Sequence, residues 1–396
     1  MTSARRRFCG SAALALALPL ARPLAFGLAA IASPGAAVAA KRKPKKPVAS
    51  KPSVEPIDYS QRADVLDYID ELVAREGFAR DALIRLFADA HYSATAARLM
   101  MPATVNVRRD WNVYRARFVE PVRLGSGFRF WDDNAALLER AERDYGVPPE
   151  IVVGILGVET VYGRNTGSFR VIDALTTLAF DYPNKARDRS AFFREQLTDA
   201  LVLTRNDASD MKGGTSAAAA LRGSYAGAIG MPQFMPGSIL RFAVDYDGDG
   251  RIDLVGSTAD IIGSVANFLA QHGWVRDLVT HVPLVHAQPF DPLQAVSIEA
   301  MVSAGSVPSY AYADLVAAGF AAASSGGGTG RATPPGAPLA LIDLPSGSDA
   351  SGNAIVGYLA GTQNFHVITR YNRSYFYAFS VIELGGTIKA LRMARR

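Results

Sequence analysis

From Ile57 to about Ala97, apolar residues recur at three- and four-residue spacing, the period of one helix face. "YIDELVAREG" runs to Gly77, a residue suited to a left-handed C-cap, and "FARDALIRLFADA" begins a second run, so two packed helices are predicted. "AALLERAERDYG" reads as a helix stopped by Gly146. "VPPEIVVGILGVET" reads as the next, with Pro149 in its first turn and Glu150 near the positive end of its dipole. Residues 170 to 205 predict further helices, and "ADIIGSVANFLAQH" another with Gly273 beyond it. Residues 100 to 133 are aromatic, Gly-interrupted and without a clean period, which predicts loops and short elements.

After Trp274 the pattern changes. "VRDLVTHVPLVHAQPF" is rich in Val and Pro, and residues 320 to 352 contain the low-complexity "AAASSGGGTGRATPPGAP", so a small β-rich insertion with a flexible loop is expected. The stretch from "NAIVGYLAG" onward returns to aromatic and helical material, and no fixed-period repeat occurs. The fold class expected is mainly α (α+β). The divisions expected are a helical N-terminal domain over 57–133, a core over 134–274, the β-rich insertion over 275–350, and a C-terminal segment over 351–396 that rejoins the core.

The first forty residues stand outside this plan. They have a basic start, an Ala/Leu-rich middle and small residues at Ala37-Val38-Ala39, which reads as an export signal over 1–40. Arg5-Arg6-Arg7-Phe8 resembles a twin-arginine leader, with ordinary Sec export the alternative. A retained membrane anchor fits less well, because Pro19, Pro23 and Pro34 interrupt the span. The single cysteine, Cys9, precedes the apolar stretch, so neither a lipid anchor nor a disulfide framework is expected. Residues 41–56 form a basic, Pro-rich linker, read as a solvated tether in preference to an anionic-surface binder. Ten of the 42 Lys and Arg lie in the first 51 residues, which hold no acid, so the remainder carries 32 bases against 37 acids. That acidic body argues against a nucleic-acid partner.

One acid stands out from its surroundings. On a helix, Leu156, Ile155 and Val152 lie three, four and seven residues before Glu159, so its carboxyl projects from an apolar stripe. Burial there raises a carboxyl pKa, and an acid that keeps its proton near neutral pH can protonate a leaving oxygen. The structural alternative is an ion pair with an Arg such as Arg164, or a cap on a neighbouring helix.

"YGVPPEIVVGILGVETVYGRNTGSFRVIDALTTLAFDYP", "GSYAGAIGMPQFMPGS" and "DYDGDGRIDL" together resemble the B type of membrane-bound lytic murein transglycosylase, a peptidoglycan-cleaving family with a lysozyme-like core. The resemblance runs from about residue 58 to the end. It implies that Glu159 is the single catalytic acid, cleaving the β-1,4 bond between N-acetylmuramic acid and N-acetylglucosamine and leaving 1,6-anhydro ends. The implied partner is the peptidoglycan glycan strand, met in the periplasm by a monomer that needs no organic cofactor. Asp173 and Asp181 are read as structural. A hydrolysing muramidase is one alternative; a silent peptidoglycan-binding scaffold that recruits cell-wall synthesis proteins is another.

The resemblance also places Ser224, Gln233, Tyr371, Asn372 and Tyr377 in the site, with Tyr114 as a further aromatic. The bland readings are a cap for Ser224, a backbone-satisfying amide for Gln233, and core packing for Tyr375 and Phe376. "DYDGDGRID" sets Asp245, Asp247, Asp249 and Asp253 at positions one, three, five and nine of an EF-hand pattern, with a carbonyl from Arg251 completing that side. Gly256 stands where the usual twelfth-position Glu belongs, so Asp260 is the candidate closing ligand, as the family's longer loop implies. Hard oxygen donors argue for Ca2+ as a structural clip, against a metal-free Asp/Gly turn. The five histidines share no metal-ligand spacing.

Overall fold

The computed structural model describes residues 57–102, 109–205, 216–286, 292–323 and 336–395. The export signal, the linker, Cys9 and most of the low-complexity loop lie outside the described residues. Among the described residues, no helix is long and apolar enough to cross a membrane.

The N-terminal pattern gives helices Ala63–Glu76 and Arg80–Ala88, and the first ends where Gly77 adopts φ 72°. Ahead of them, Tyr59 is fully buried and its hydroxyl donates to Asp181 at 2.8 Å, while the Arg62 guanidinium grips both oxygens of the same carboxylate. Asp181 is thereby a structural anchor. Asp173 has a similar duty, accepting from the His91 backbone N–H and pairing with Arg170.

Residues 100 to 133 depart from expectation. Pro121–Asp133 is a thirteen-residue helix, with Pro121 in its first turn and Glu120 accepting from the N–H groups of Val122 and Arg123. Its glycines do not break it, because Gly127 is where the Tyr162 hydroxyl and Ile388 press closest; any Cβ there would collide with both. Tertiary contact overrides the weak propensity.

The core is built around helix Pro149–Thr160, whose residues other than Glu150 and Glu159 are all buried. The long C-terminal helix Tyr375–Arg395 packs against it. Two glycines make the approach possible: Gly154 faces the Val381 carbonyl and Gly385 faces the Glu150 carbonyl, each too close for a side chain. Lys389 also closes on Glu150 at 2.8 Å.

The β-rich part is a four-stranded antiparallel sheet in the spatial order Phe320–Ala322, His281–His286, Ala354–Gly361, Ala340–Ser348. It has its own small core of Leu284, Ile298, Met301, Leu315, Phe320 and Leu341. Helix Pro292–Ser303 contributes to it. The strand Ala354–Gly361 corrects the expectation that the chain turns helical straight after residue 350. It forms a hairpin with Ala340–Ser348, five residues before it, and pairs on its other side with the distant His281–His286. From Thr362, which caps Gln363–Tyr371, the chain does become helical.

Candidate active site

Helix Pro149–Thr160 delivers Glu159 to its last turn. Leu156, Ile155 and Val152 are fully buried, as the apolar stripe requires, while Glu159 itself is half-buried. Burial pushes its carboxyl up to about 7, against the opposing pull of a hydrogen bond from Tyr377. That bond runs from the Tyr377 hydroxyl to Oε1 at 2.6 Å. Among the described residues Glu159 forms no ion pair, so the pairing with Arg164 is not found.

Immediately beyond the acid the chain turns hard. Val161, Tyr162 and Gly163 all have positive φ (53°, 56° and 86°), a run that L-residues with branched or bulky side chains resist. Four hydrogen bonds hold it: Val161 N–H to Gly157 O, Tyr162 N–H to Leu156 O, Asn165 N–H to Thr160 O, and Gly163 N–H to Thr160 Oγ1. Arg123, on the helix the sequence did not declare, donates from Nε to the Gly157 carbonyl at 3.0 Å.

Three of the expected aromatics gather round Glu159. Tyr371 and Tyr377 stack at 6.4 Å with planes 14° apart. The Tyr371 hydroxyl donates to the Pro232 carbonyl at 2.6 Å. Tyr114 rests 5.3 Å from the Phe376 ring, and burial, seconded by the charge of Glu159, pushes its phenol up to about 12. Phe376 is buried core, as read; Tyr375 is half-buried against the same core, and its hydroxyl accepts from Arg109 at 2.6 Å.

Gln233 and Ser224 are each held by hydrogen bonds to nearby backbone. Gln233 has φ 53°, and its Nε2 donates to the carbonyls of Gly230 (2.9 Å) and Thr166 (3.0 Å), the satisfied-amide role. Ser224 Oγ accepts from the N–H groups of Ala226 and Ala228, shaping its own turn. Both are half-buried. Asn372 is buried, and its Oδ1 has no hydrogen-bond partner among the described residues. A hollow of about 580 Å³ beside Met301, Tyr310 and Asp314 lies in the β-rich part and is lined by none of these residues.

The acidic loop brings Asp245, Asp247 and Asp249 together, one oxygen from each lying within 4.8 Å of the others. Gly248 (φ 80°) and Gly250 (φ 90°) allow the tight winding. Asp253 accepts from Val255 and Gly256, and the Arg251 N–H donates to Asp249. Asp260 lies apart from the cluster: it is buried, and its two oxygens accept the N–H groups of Tyr246 (2.7 Å) and Asp253 (2.8 Å). It braces the loop's two ends.

A lone carboxyl raised to about 7 by burial, at the end of a buried helix and beside a stacked pair of tyrosines, has the chemistry of a general acid for glycosidic-bond cleavage. The sequence profile described as "Transglycosylase SLT domain" matches residues 60–386. The chain is 34% identical over 349 residues to membrane-bound lytic murein transglycosylase B of Escherichia coli K12, covering 85% of each. It superposes on SltB1 of Pseudomonas aeruginosa with a TM-score of 0.71 at 38% identity, covering 85% of this chain and all of the other. Against Escherichia coli Slt35, a structure in complex with calcium, the TM-score is 0.69 at 34% identity, covering 85% and 96%; the same protein was also solved with bulgecin A. The chain belongs to the transglycosylase SLT family, with the lysozyme-like fold of those structures, and is a lytic transglycosylase.

Proposed function

We propose that the substrate is peptidoglycan, the polymer named for the relatives, and that Glu159 performs both proton transfers of its cleavage. Glu159 donates its proton to the oxygen of the β-1,4 bond on the reducing side of N-acetylmuramic acid as that bond breaks and positive character builds at the anomeric carbon. The carboxylate left behind takes the proton of the muramyl 6-hydroxyl, whose oxygen bonds to the anomeric carbon and closes the 1,6-anhydro ring. The acid is regenerated and no water is consumed. An internal hydroxyl needs positioning only, so no second carboxylate is required. The observation that carries this reading is the raised, half-buried Glu159 bonded to Tyr377.

Tyr114, Tyr371 and Tyr377 offer amphipathic faces to sugar rings, while Ser224, Gln233 and Asn372 offer polar atoms. The unpartnered Oδ1 of Asn372 suits a sugar hydroxyl or acetamido N–H. Asp245, Asp247 and Asp249 fit a hard divalent cation such as Ca2+, with Asp253 and the Arg251 carbonyl flanking them and Asp260 behind. The ion would neutralise three clustered carboxylates and clip the loop. Export through the leader would place the enzyme in the periplasm, with its substrate.

The test is digestion of purified sacculi by the wild type and by E159Q, with mass spectrometry of the products. Anhydro-muropeptides from the wild type and none from E159Q are expected. Reducing ends in place of anhydro ends would make the enzyme a hydrolase, and turnover by E159Q would move the acid elsewhere.

A further inference from the structure

Thr160 follows the acid directly and is fully buried. Its hydroxyl donates to the Met231 carbonyl at 2.9 Å and accepts the Gly163 N–H at 3.0 Å. One oxygen therefore joins two things: the left-handed turn that ends the acid's helix, and the loop from Gly230 to Phe234 that carries Gln233. The next carbonyl along that loop, Pro232 O, receives the Tyr371 hydroxyl at 2.6 Å. Met231 N–H is also tied to Leu254 O, and Ile229 and Phe234, at the loop's two ends, pair through both backbone bonds.

The loop is thus suspended by two consecutive carbonyls, Met231 O and Pro232 O, from the hydroxyls of Thr160, next to Glu159 in the chain, and Tyr371, which feels the charge of Glu159. Gln233 sits there at φ 53°, a conformation the chain keeps only where its surroundings enforce it. We infer that Thr160 is a positioning residue for the transglycosylase reaction, fixing the Met231–Gln233 loop opposite the acid so that glycan is held in register with Glu159. The inference rests on Glu159 being the acid.

Replacing the hydroxyl by a methyl in T160V leaves Met231 O and Gly163 N–H without their partner at nearly unchanged volume; T160S keeps the bond and loses the methyl. Two readouts separate positioning from bulk stability. In an E159Q background, a soluble N-acetylglucosamine–N-acetylmuramic acid tetrasaccharide is expected to bind about tenfold more weakly when T160V is added, and within about threefold of the parent with T160S, the scale of one partly buried hydrogen bond. With Glu159 intact and at a temperature well below melting, T160V is expected to raise KM and lower kcat together, and T160S to restore both. A loss of folded protein alone lowers apparent kcat and leaves KM in place. T160V with unchanged binding and KM, or T160S no better than T160V, overturns the inference. Turnover by E159Q alone would overturn the acid assignment instead, and would show before any Thr160 variant is measured.

Discussion

Tyr377 donates a 2.6 Å hydrogen bond to Oε1 of Glu159 across 218 residues of sequence. The bond favours the carboxylate while burial favours the acid, and burial wins. The pair therefore sets a proton affinity between that of an exposed glutamate and that of a fully desolvated one.

The first consequence is a pH profile. Cleavage begins from protonated Glu159, so kcat/KM should fall as pH rises through about 7. Y377F removes the bond that favours the charged form, so this alkaline limb should move to higher pH, with a lower maximum if the phenol also touches sugar. Rate measurements across pH 5 to 9 decide it; a limb unmoved in Y377F belongs to another group.

The same acid makes stability depend on pH. Its folded pKa lies above the unfolded value of 4.5, so the native state binds more protons between 4.5 and about 7, and its contribution to stability falls as pH rises through that window. E159Q carries no such cost. It should melt higher than the wild type at pH 7.5, by an amount on the order of 2 kcal/mol once the open edge of Glu159 is allowed for, and the gap should close near pH 4. Calorimetry at both pH values measures it.

Asp260 and the Asp245 cluster should separate in a melting experiment. Calcium should raise the melting temperature of chelator-treated wild type, and D245N with D249N should abolish that rise. D260A orphans the N–H groups of Tyr246 and Asp253, so it should lower stability by about 2–4 kcal/mol even in chelator. A D260A protein as stable as the wild type without calcium would make Asp260 a ligand in place of a brace.

The contact between the acid's helix and the C-terminal helix should tolerate no side chain at its crossings. G154A drives a methyl into the Val381 carbonyl, and G385A does the same at Glu150 O. Each should cost at least about 2 kcal/mol in urea unfolding, with reduced activity from displaced Tyr377. Wild-type stability in either would mean that the helices have room to part.

The partial burial of Glu159 was legible because its signal is local, three apolar residues at helical spacing; its role as the acid came only from the family resemblance. The sequence did not declare helix Pro121–Asp133, since Gly125 and Gly127 look like breakers until Tyr162 and Ile388 are found against one of them. Strand Ala354–Gly361 was missed although one partner, Ala340–Ser348, lies only five residues before it; its other partner, His281–His286, is distant. For Asp260, spacing gave proximity to the acidic loop but not direction; the carboxylate turns to backbone N–H groups. Thr160 and Arg123 carried no signal beyond their neighbours. A threonine directly after a buried acid and before three left-handed residues is recognisable only once the turn is seen.

Helix Tyr375–Arg395 supplies the phenol bonded to Glu159, and that phenol is made 218 residues after the acid. A nascent chain shorter than residue 377 already contains Glu159 but has nothing to dock over it, leaving that carboxyl wetter and more acidic than in the finished enzyme. The proton affinity described for Glu159 is thus set only after synthesis has passed residue 377 and that helix has docked.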